Sequence, residues 1–386
     1  MTGASCIGGR SLRRPHEWRE TVSGTGRLPA FSPPPATHPG ETRISIVVVN
    51  HNYARFLSEA VDSALAQRGA VVEVVVVDDG STDESRALLA AYEARVRVVL
   101  QPNRGQAAAF NAGLAATEGD IVLYLDADDV LDPQVASWAA AAFERNPAAA
   151  RVVFRLAIVD EAGRPTGELM PARDVPLPEG DVRQQVLDYA DDLAWPPTSG
   201  NAFAAWALRR VMPLPVTGDL VDADSWLHPT IPLLGTVVAL DTIGGAYRAH
   251  GTNHAFRHGL DVERSRRIIS RTMQVHARLR ELARELGYGR CRPPRSITVA
   301  AHRMVSLRLG GPGHPVQGDS RRRVLTEGVG AACGRTDVSP WQRVIYASWF
   351  LAAAAAPRPW VRAFGEAFFM PAKRPPRLRR LMRRRW

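Results

Sequence analysis

Two short acidic turns stand out as groups that could do chemistry. Asp78 and Asp79 are adjacent at the end of an apolar run, and Asp126, Asp128 and Asp129 fall within four residues at the end of another. Like charges this close repel one another, so each turn indicates a partner. A ligand with N–H or hydroxyl donors would suit the first turn. A hard divalent cation, Mg²⁺ or Mn²⁺, would suit the second, with water and phosphate oxygens completing its shell.

Both turns also have structural explanations. Ser81 followed by Glu84 matches a capping box, and Gly80 permits a tight turn. After the second turn, Asp132 before Pro133 provides a helix N-cap, which leaves the three preceding carboxylates unexplained. Capping and ligand binding are compatible at the first turn, and a cation remains the better explanation of the second.

The acidic turns follow strands in an alternating pattern. Apolar β-branched runs predict strands at residues 44–49, 72–77, 96–100 and 121–125, and helix-like segments lie between them at 55–66, 82–94 and 106–116. Strands that are apolar on both faces are typical of a parallel sheet covered by helices. The alternation therefore predicts an α/β fold with an open, mostly parallel twisted sheet. Ligands of such sheets bind beyond the carboxyl ends of the strands, where both acidic turns lie.

The alternation weakens after residue 147. We expect strands at 151–159 and 236–240, a loop-rich stretch at 160–180, helices at 182–193 and 203–211, and a helix at 224–234 that is kinked near Pro229 and Pro232. Residues 1–43 lack any apolar period and are predicted to be disordered. The predicted domains are a sheet domain at 44–261, with halves at 44–150 and 151–261, and a helical C-terminal extension at 262–386.

Composition limits the functional classes. The three cysteines, Cys6, Cys291 and Cys333, are far apart in the 386 residues, which argues against a disulfide framework or a cysteine zinc site and favours a reducing compartment. The N-terminus lacks the apolar stretch of a signal peptide, and no apolar run is long enough to span a bilayer. The net charge of +10 suggests nucleic acid, but residues 358–386 carry +9 and residues 1–43 carry +3, which leaves −2 for the central body. A basic nucleic-acid-binding protein is therefore disfavoured.

The region from Ile44 to about Asn253 resembles the inverting glycosyltransferases of family 2, which have the GT-A fold. The resemblance covers a little over half of the chain, and its motifs occur in the family's order. They are Ile46–Asn52 with Tyr53, Val77-Asp78-Asp79-Gly80-Ser81-Thr82-Asp83, Asn103-Arg104-Gly105-Gln106, Asn111-Ala112-Gly113, Gly119-Asp120, Leu125-Asp126-Ala127-Asp128-Asp129 and Tyr247-Arg248-Ala249-His250-Gly251-Thr252-Asn253.

The resemblance implies a role for most of these motifs. Asp79 would hold the base of a nucleotide-sugar donor and Asp126 would lie near its ribose. Asp128 would bind the divalent cation on the diphosphate, with His250 as a candidate metal or diphosphate contact. Three further positions, within the matching motifs, are expected to contribute to the donor site. They are Asn52, Gly105 and Asn111.

Two departures from the family pattern bear on the chemistry. Phe110 stands before Asn111 where the family often has Arg, and Ala223 stands where the family usually has the Glu of a Glu-Asp pair. Transfer to a hydroxyl requires one carboxylate as general base, and a single displacement with one base inverts the anomeric carbon. Asp224 is the predicted base and Asp222 the alternative; a helix N-cap is an equally good explanation of Asp224.

The segment 195–201 has two interpretations. Trp195, Thr198 and Asn201 fall in a Pro-rich stretch that precedes a predicted helix, so Asn201 could be the N-cap of that helix. An aromatic face and an amide also suit a sugar, and on that interpretation the segment contributes to the donor or acceptor pocket.

The C-terminus predicts contact with anionic lipid. Trp360, Phe364 and Phe368 recur every four residues, and a run of Lys and Arg follows them to Trp386. An aromatic amphipathic helix next to a polybasic segment suits anionic headgroups. In the alternative interpretation, residues 344–370 pack on the catalytic domain and the Arg run is merely solvated.

The sequence as a whole predicts a metal-dependent, inverting hexosyl- or related transferase at the cytoplasmic face of the cell membrane. It would build a cell-surface polysaccharide or glycolipid from a nucleotide-sugar donor and a glycan or lipid-linked acceptor, and it would not bind nucleic acid. A second hypothesis is a related protein that binds nucleotide-sugar without turnover, since Ala223 replaces the usual Glu.

Overall fold

The computed structural model describes residues 42–216, 222–251, 260–288, 294–335, 337–370 and 374. The prediction of disorder for residues 1–43 therefore lies outside the described residues except at its last two positions, and so does most of the basic tail. Cys6 and Cys291 also lie outside them, and Cys333 is an exposed free thiol.

Nine strands are present in the described residues, and they form one sheet. They are β1 (Arg43–Asn50), β2 (Val71–Asp79), β3 (Arg97–Gln101), β4 (Ile121–Asp126), β5 (Val130–Leu131), β6 (Ala149–Val159), β7 (Pro165–Met170), β8 (Asn201–Ala204) and β9 (Thr236–Arg248). Their order is β3-β2-β1-β4-β8-β6-β9-β5, with β7 paired to β6. Parallel pairing joins β1 through β4 and also β6 with β9, whereas β5, β7 and β8 pair antiparallel.

Twelve α-helices occur in the described residues. They are α1 (Ala54–Leu65), α2 (Ser85–Ala90), α3 (Gln106–Ala115), α4 (Val135–Arg145), α5 (Arg183–Tyr189), α6 (Ala205–Val211), α7 (Ala223–Thr230), α8 (Val262–Glu285), α9 (Ile297–Leu309), α10 (Arg321–Gly334), α11 (Pro340–Ala355) and α12 (Arg358–Phe369). Short 3-10 turns add Ala190–Asp192, Thr198–Gly200 and Ile231–Leu233.

Alternate residues of β1 pack into two separate hydrophobic cores, one on each face of the sheet. On β1, Ile44, Ile46 and Val48 face the core that contains α1, α2 and α4. Val47 faces the other core, which contains α3 and α5 to α8. Both faces of the sheet are therefore covered, as the unbroken β-branched runs predict. The predicted α/β sheet, flanked by helices and followed by C-terminal helices, is confirmed, and it is parallel in its first half and mixed beyond.

Several local predictions were wrong after β4. The predicted helix at 203–211 begins only at Ala205, because Asn201–Ala204 forms strand β8 between β4 and β6. Asn201 is therefore not a helix N-cap. The stretch predicted to be loop-rich contains β7, and the second half of β9 extends beyond the predicted strand. The kinked helix is confirmed, since α7 holds Pro229 and passes into the 3-10 turn Ile231–Leu233.

The capping box predicted at the first acidic turn is also wrong. Helix α2 begins at Ser85, its N-cap residue Glu84 makes no side-chain capping bond, and the Ser85 N–H donates to the Asp83 carboxylate at 3.0 Å. Ser81 instead accepts hydrogen bonds from the side chain of Asn50 and from the backbone N–H of Asn52, at 3.0 and 2.9 Å. A buried amide and an orphaned N–H therefore use the hydroxyl that the helix was expected to use.

A buried ion pair joins the sheet domain to the C-terminal helices. Arg335 Nη1 donates to Asp192 at 2.6 Å, and the two side chains are only 1% and 2% exposed. The hydroxyl of Ser296 and the backbone N–H of Ile297 donate to the same carboxylate at 3.0 and 2.8 Å. Asp192 thus binds the start of α9 and the residue that follows α10. Helix α8 itself packs into the sheet domain, through Val275, Leu279, Leu282 and Ala283.

The predicted aromatic stripe of α12 is split between core and surface. Phe368 is buried, with its ring centroid 4.7 Å from that of Trp349, whereas Trp360 is 61% exposed. The stripe therefore packs partly on α11, a C-terminal helix, whereas the alternative interpretation placed it on the catalytic domain. Among the described helices, none combines the length and apolar composition needed to cross a membrane.

Candidate active site

The carboxyl ends of β1, β2 and β4 meet at one rim of the sheet. The strand register places Asn50 beside Asp78 and Val49 beside Asp126. Because the three strands are parallel and adjacent, their polar terminal residues point into a common region. The rim predicted from the sequence is therefore present, and both acidic turns belong to it.

The protein itself satisfies the two carboxylates of the first turn. Asp79 accepts hydrogen bonds from the backbone N–H groups of Arg104 and Gly105, at 2.9 and 2.8 Å, and from the Gln101 amide at 2.6 Å. Asp78 accepts from Asn50 at 2.9 Å, among other donors. The sequence indicated a ligand as the partner of this pair, and the structure shows that donors of the chain itself also satisfy it. Any contact of Asp79 with a nucleotide base would use the remaining acceptor capacity of its carboxylate.

Burial and hydrogen bonding act in opposite directions on Asp78. Burial raises the pKa of this carboxyl, but hydrogen bonds from Ser81, Arg86 and Asn50 outweigh it, and the pKa lies below its usual range. Asp78 is therefore a fixed negative charge that organises the turn.

Two of the predicted donor-site amides are used to shape the scaffold. Asn52 has a φ of +59°, and its Oδ1 accepts the backbone N–H of Thr82 at 2.7 Å. Asn111 bonds both backbone groups of Leu214: its Nδ2 donates to the carbonyl at 2.8 Å, and its Oδ1 accepts from the N–H at 2.7 Å. Gly105 has a φ of +84°, which favours glycine, and it precedes α3.

The second acidic turn divides its carboxylates among different partners. Asp126 is partly buried, and Gln106 approaches its Oδ1 at 3.5 Å. Asp128 Oδ2 lies 2.8 Å from His250 Nε2. Asp129 accepts from the hydroxyl of Ser199 at 2.6 Å and from the backbone N–H of Arg248 at 3.0 Å. Asp126 and Asp128 are thus the members of the turn that face the cleft and the histidine, respectively.

The concentration of negative charge in this turn raises the pKa values of two of its carboxyl groups. Burial, with the charges of Asp128, Asp129 and Asp224, raises the pKa of Asp126 well above its usual range. Burial and the charge of Asp128 likewise raise the pKa of Asp129, despite the hydrogen bond from Ser199. The turn is therefore an environment in which a cation would be strongly favoured.

The end of β9 closes the rim over the second turn. Arg248 is 4% exposed, its Nε donates to the carbonyl of Asp128 at 3.0 Å, and its guanidinium also pairs with Glu59 of α1. The His250 ring packs against Phe56, with ring centroids 5.3 Å apart. These contacts hold His250 beside Asp128 and fix the direction in which its ring points.

The turn Thr198–Gly200 links the acidic turn to the far side of the cleft. Ser199 Oγ donates to Asp129 and also accepts the N–H of Asp126 at 3.1 Å. Thr198 binds Asp224 twice, through its hydroxyl at 2.9 Å and its N–H at 3.2 Å. A β-carbon at Gly200 would come within 2.6 Å of Pro196, so only glycine fits there. The sequence indicated that this segment could contribute to a pocket, but not that it connects two sets of carboxylates.

Asp222 and Asp224 have different roles in the structure. Asp222 caps α7 by accepting from the Ser225 N–H at 2.8 Å, and it pairs with Arg271 of α8. Asp224 is not the N-cap, and its side chain is 28% exposed. Burial and the charge of Asp222 raise the pKa of Asp224 to about 7, against the lowering effects of Thr198 and Arg151. A carboxylate with this pKa can accept a proton near neutral pH.

Sequence reasoning missed several residues that position these carboxylates. They are Gln106, Arg151, Thr198 as a partner of Asp224, Ser199 and Arg248. Gln106 spans the cleft, since its Oε1 accepts the N–H of Ala223 at 3.2 Å while its Nε2 approaches Asp126. The family motifs contain Gln106 and Arg248, which is the signal that could have indicated them; Ser199 has no comparable signal.

Comparison with known proteins assigns the family. Residues 45–214 match the profile described as "Glycosyl transferase family 2", a range that includes both acidic turns and the turn Thr198–Gly200. Residues 45–214 of this chain form a glycosyl transferase family 2 domain. The predicted resemblance is therefore confirmed.

Similarities to individual proteins extend the comparison. An uncharacterized glycosyltransferase of Nostoc sp. is 33% identical over 216 residues, which cover 55% of this chain and 66% of the relative. The succinoglycan biosynthesis protein ExoO of Rhizobium meliloti is 47% identical over 92 residues, covering 23% of this chain and 26% of ExoO. The chain thus spans less than two thirds of the curated relatives that it matches. The S. aureus TarS structure in complex with UDP-GlcNAc has a TM-score of 0.48 at 16% identity, covering 84% of this chain and 91% of that one.

Replacing Ser199 with Ala should lower the free energy of unfolding by about 1–3 kcal/mol, because the buried Asp129 carboxylate loses a hydroxyl donor. Urea denaturation followed by circular dichroism measures this change. Ser137→Ala is the matched control, since that hydroxyl bonds only the nearby Gln134 carbonyl at 2.8 Å. Equal midpoints for the two variants would contradict the bridging role of Ser199.

Proposed function

We propose that this family 2 domain transfers a sugar from a nucleoside-diphosphate sugar to an acceptor hydroxyl, with inversion at the anomeric carbon. The observation that carries the proposal is the position of Asp224. Its carboxylate lies close enough to the acidic turn for its charge to raise the pKa of Asp126, and its own pKa is about 7. A carboxylate with a pKa near neutrality thus lies across one cleft from the rim to which we assign the donor.

Asp224 is the better candidate for the base. Asp222 is occupied by the N-terminus of α7 and by the charged Arg271, whereas Asp224 is held by the uncharged Thr198. Both side chains are partly exposed, at 42% and 28%, so exposure does not separate them. The acceptor O–H would donate its proton to Asp224 as the oxygen attacks the anomeric carbon and the bond to the diphosphate breaks. One base suffices for this single displacement, and inversion follows from attack opposite the leaving group.

The donor would lie along the rim between Asp79 and the second acidic turn. Asp79 is fixed by the turn at Arg104 and Gly105, so its remaining acceptor capacity is presented in a constant direction. Asp126 is partly buried and is approached by Gln106, which suits a contact to a ribose hydroxyl. We assign the nucleotide to this part of the rim on these grounds.

The second acidic turn fits a divalent cation. Asp128 Oδ2 and His250 Nε2 lie 2.8 Å apart. Two adjacent octahedral ligands with bonds of about 2.1 Å lie about 3 Å apart, so this spacing suits Mn²⁺ or Mg²⁺. Within the described residues no three His, Cys, Asp or Glu side chains form a metal-binding group, so diphosphate oxygens and water would complete the shell. When bound, the cation would neutralise charge that develops on the leaving diphosphate.

Asp224→Asn should lower kcat by about 10²- to 10⁴-fold and leave the donor dissociation constant unchanged, because the amide cannot accept the proton. Asp222→Asn is the matched control and should retain most of the turnover. Because Asn caps a helix about as well as Asp, it should lose at most about 1 kcal/mol of stability, from the ion pair with Arg271. Full turnover in Asp224→Asn, or loss only in Asp222→Asn, would assign the base to Asp222 or elsewhere.

The same assay should show a pH dependence set by Asp224. The carboxylate must be ionised to act, and its raised pKa of about 7 places half-ionisation near neutrality. We expect kcat/KM to rise between pH 6 and 8 and then level off. A flat profile over this range in the wild-type protein would exclude a base with this acidity.

Asp128→Ala should abolish the part of donor affinity that depends on Mn²⁺. Isothermal titration of a nucleotide-sugar with Mn²⁺ and with a chelator measures that part. Asp132→Ala is the control, since Asp132 follows the turn and its Oδ1 accepts only the Gln134 N–H at 2.9 Å. Equal donor affinity with Mn²⁺ and with chelator in the wild-type protein would show that the cation assignment is wrong.

We also propose that the C-terminal helices dock on an anionic membrane, which would place the enzyme at the cytoplasmic face where a polysaccharide or lipid-linked acceptor is elongated. Trp341, Val344 and Leu351 are 74%, 55% and 57% exposed, and their spacing places them on one face of α11. This face of α11 is an apolar surface that the described helices leave open, and Trp360 of α12 is also exposed.

Charge favours lipid as its occupant. Residues 371–386 contain eight Lys or Arg and no acidic residue. Arg374, within that segment, donates to the Ala367 and Phe368 carbonyls at 2.9 and 2.8 Å, so this residue lies at the C-terminal end of α12. An exposed apolar helix face and a basic segment in the same C-terminal extension suit anionic headgroups. The similarity to a succinoglycan biosynthesis protein supports a polysaccharide as the product.

A double variant, Trp341→Ser with Leu351→Ser, should reduce sedimentation with vesicles of phosphatidylglycerol by at least tenfold, because two apolar anchors are lost. Leu100→Ser is the control, since Leu100 is 56% exposed on β3 of the sheet domain. Equal sedimentation of both proteins, or equal binding to phosphatidylcholine and phosphatidylglycerol, would contradict docking through this surface.

A further inference from the structure

Arg151 is a buried cation with an unusual set of partners. It lies in β6 and is 0% exposed, yet its Nε and Nη2 donate to the neutral amide of Asn201. Its Nη1 has no hydrogen-bond partner among the described residues. The guanidinium carbon is 4.2 Å from the Trp195 ring centroid and 5.2 Å from that of Phe203, so aromatic faces surround the charge. Burying a charge with so few donors satisfied is costly, and such positions cluster at functional sites.

A continuous set of hydrogen bonds connects Arg151 to Asp224. Asn201 accepts from Arg151 through Oδ1, and its Nδ2 donates to the Pro197 and Thr198 carbonyls, at 2.7 and 3.1 Å. Thr198 in turn donates to Asp224 through its hydroxyl and its N–H. The members Arg151, Asn201 and Thr198 are 0%, 0% and 3% exposed, so solvent does not compete for these bonds.

We infer that Arg151 is the positioning residue for Asp224, acting through Asn201 and Thr198 on its geometry and through its buried positive charge on its ionisation. This inference rests on the proposed role of Asp224 as the base. Two independent physical effects follow. The amide of Asn201 fixes the turn that points Thr198 at the carboxylate, and the field of the guanidinium favours the ionised form of Asp224.

The other charged groups around Asp224 oppose Arg151. The charge of Asp222 raises the pKa of Asp224, although Arg271 of α8 pairs with Asp222. The charge of Asp224 in turn raises the pKa of Asp126. His228 Nε2 lies 3.6 Å from Asp224. Burial and Arg151 lower the pKa of His228 well below its usual range, so its ring is neutral. Further along α8, His276 is already paired with Asp191, at 2.7 Å. Removal of the Arg151 charge is therefore expected to change the ionisation of Asp224 more than removal of these other groups.

The test compares Arg151→Met, Arg151→Lys and a matched control, Arg155→Met. Arg155 is a buried arginine on the same strand, and its Nη2 donates at 2.6 Å to the Val175 carbonyl, away from Asp224. In Arg151→Met the acidic limb of the kcat/KM profile should move up by about one pH unit, because a nearby opposite charge is lost. Turnover at pH 7 should fall about fivefold with donor KM unchanged. Arg151→Lys should restore the position of the limb, and Arg155→Met should not move it.

A second readout keeps the result independent of turnover. The ¹³C carboxyl signal that disappears in Asp224→Asn should titrate near pH 7 in the wild-type protein and about one pH unit higher in Arg151→Met. If Arg151→Met fails to fold, Thr198→Val replaces it, since that variant removes the hydroxyl bond and keeps the shape. An unmoved carboxyl titration in a folded Arg151→Met or Thr198→Val protein overturns the inference.

Failure of the proposed function gives a different pattern. Asp224→Asn would then retain full turnover, whatever the carboxyl titration of the Arg151 variants. If the wild-type protein turns over donor, Asp224→Asn does not, and Arg151→Met leaves both the limb and the carboxyl titration in place, only the inference about Arg151 is wrong.

Discussion

The cleft depends on holding mutually repelling carboxylates together, and hydrogen-bond donors from distant segments make this possible. Asp126, Asp128, Asp129 and Asp224 lie close enough for their charges to act on one another. Ser199 and Arg248 bind Asp129, while Thr198 binds Asp224. These donors stand 70 to 119 residues from Asp129 and 26 from Asp224 in the sequence. The sheet must therefore form and bring these segments together before the carboxylates can be held in one cleft. Burial then strengthens each of these hydrogen bonds.

The first half of the fold was predictable because its signals are local. An unbroken β-branched strand, a polar turn and a helix-like segment recur along residues 44–126, and each identifies its own element. The second half was less predictable because β8 is only four residues long and is defined by the two strands beside it. Its short Ala- and Phe-containing sequence carries no period that distinguishes a strand from the first turn of α6.

The acidic residues of the site were predictable, but their supports were not. Carboxylates at the ends of strands can be recognised in the sequence by their charge and position. The resemblance to the family indicated His250 and Asp224 in addition. The sequence gives no sign that Asp79 is satisfied by two backbone N–H groups, since backbone donors are present at nearly every residue. Nor does it show that Asp222, two residues before Asp224, takes the helix cap. The partner of each carboxylate depends on the direction in which its side chain points in the folded protein, which the sequence does not indicate.

Gly200 shows how a residue without a functional group can set the dimensions of a cleft. Its α-carbon passes so close to Pro196 and to the Phe154 carbonyl that a methyl group would have to push the turn aside. Thr198 and Ser199 precede Gly200 and bind carboxylates on opposite sides of the cleft, Asp224 and Asp129. The lack of a side chain at Gly200 therefore affects how far apart these two carboxylates are held. Their spacing is in this sense constrained by steric exclusion at one α-carbon.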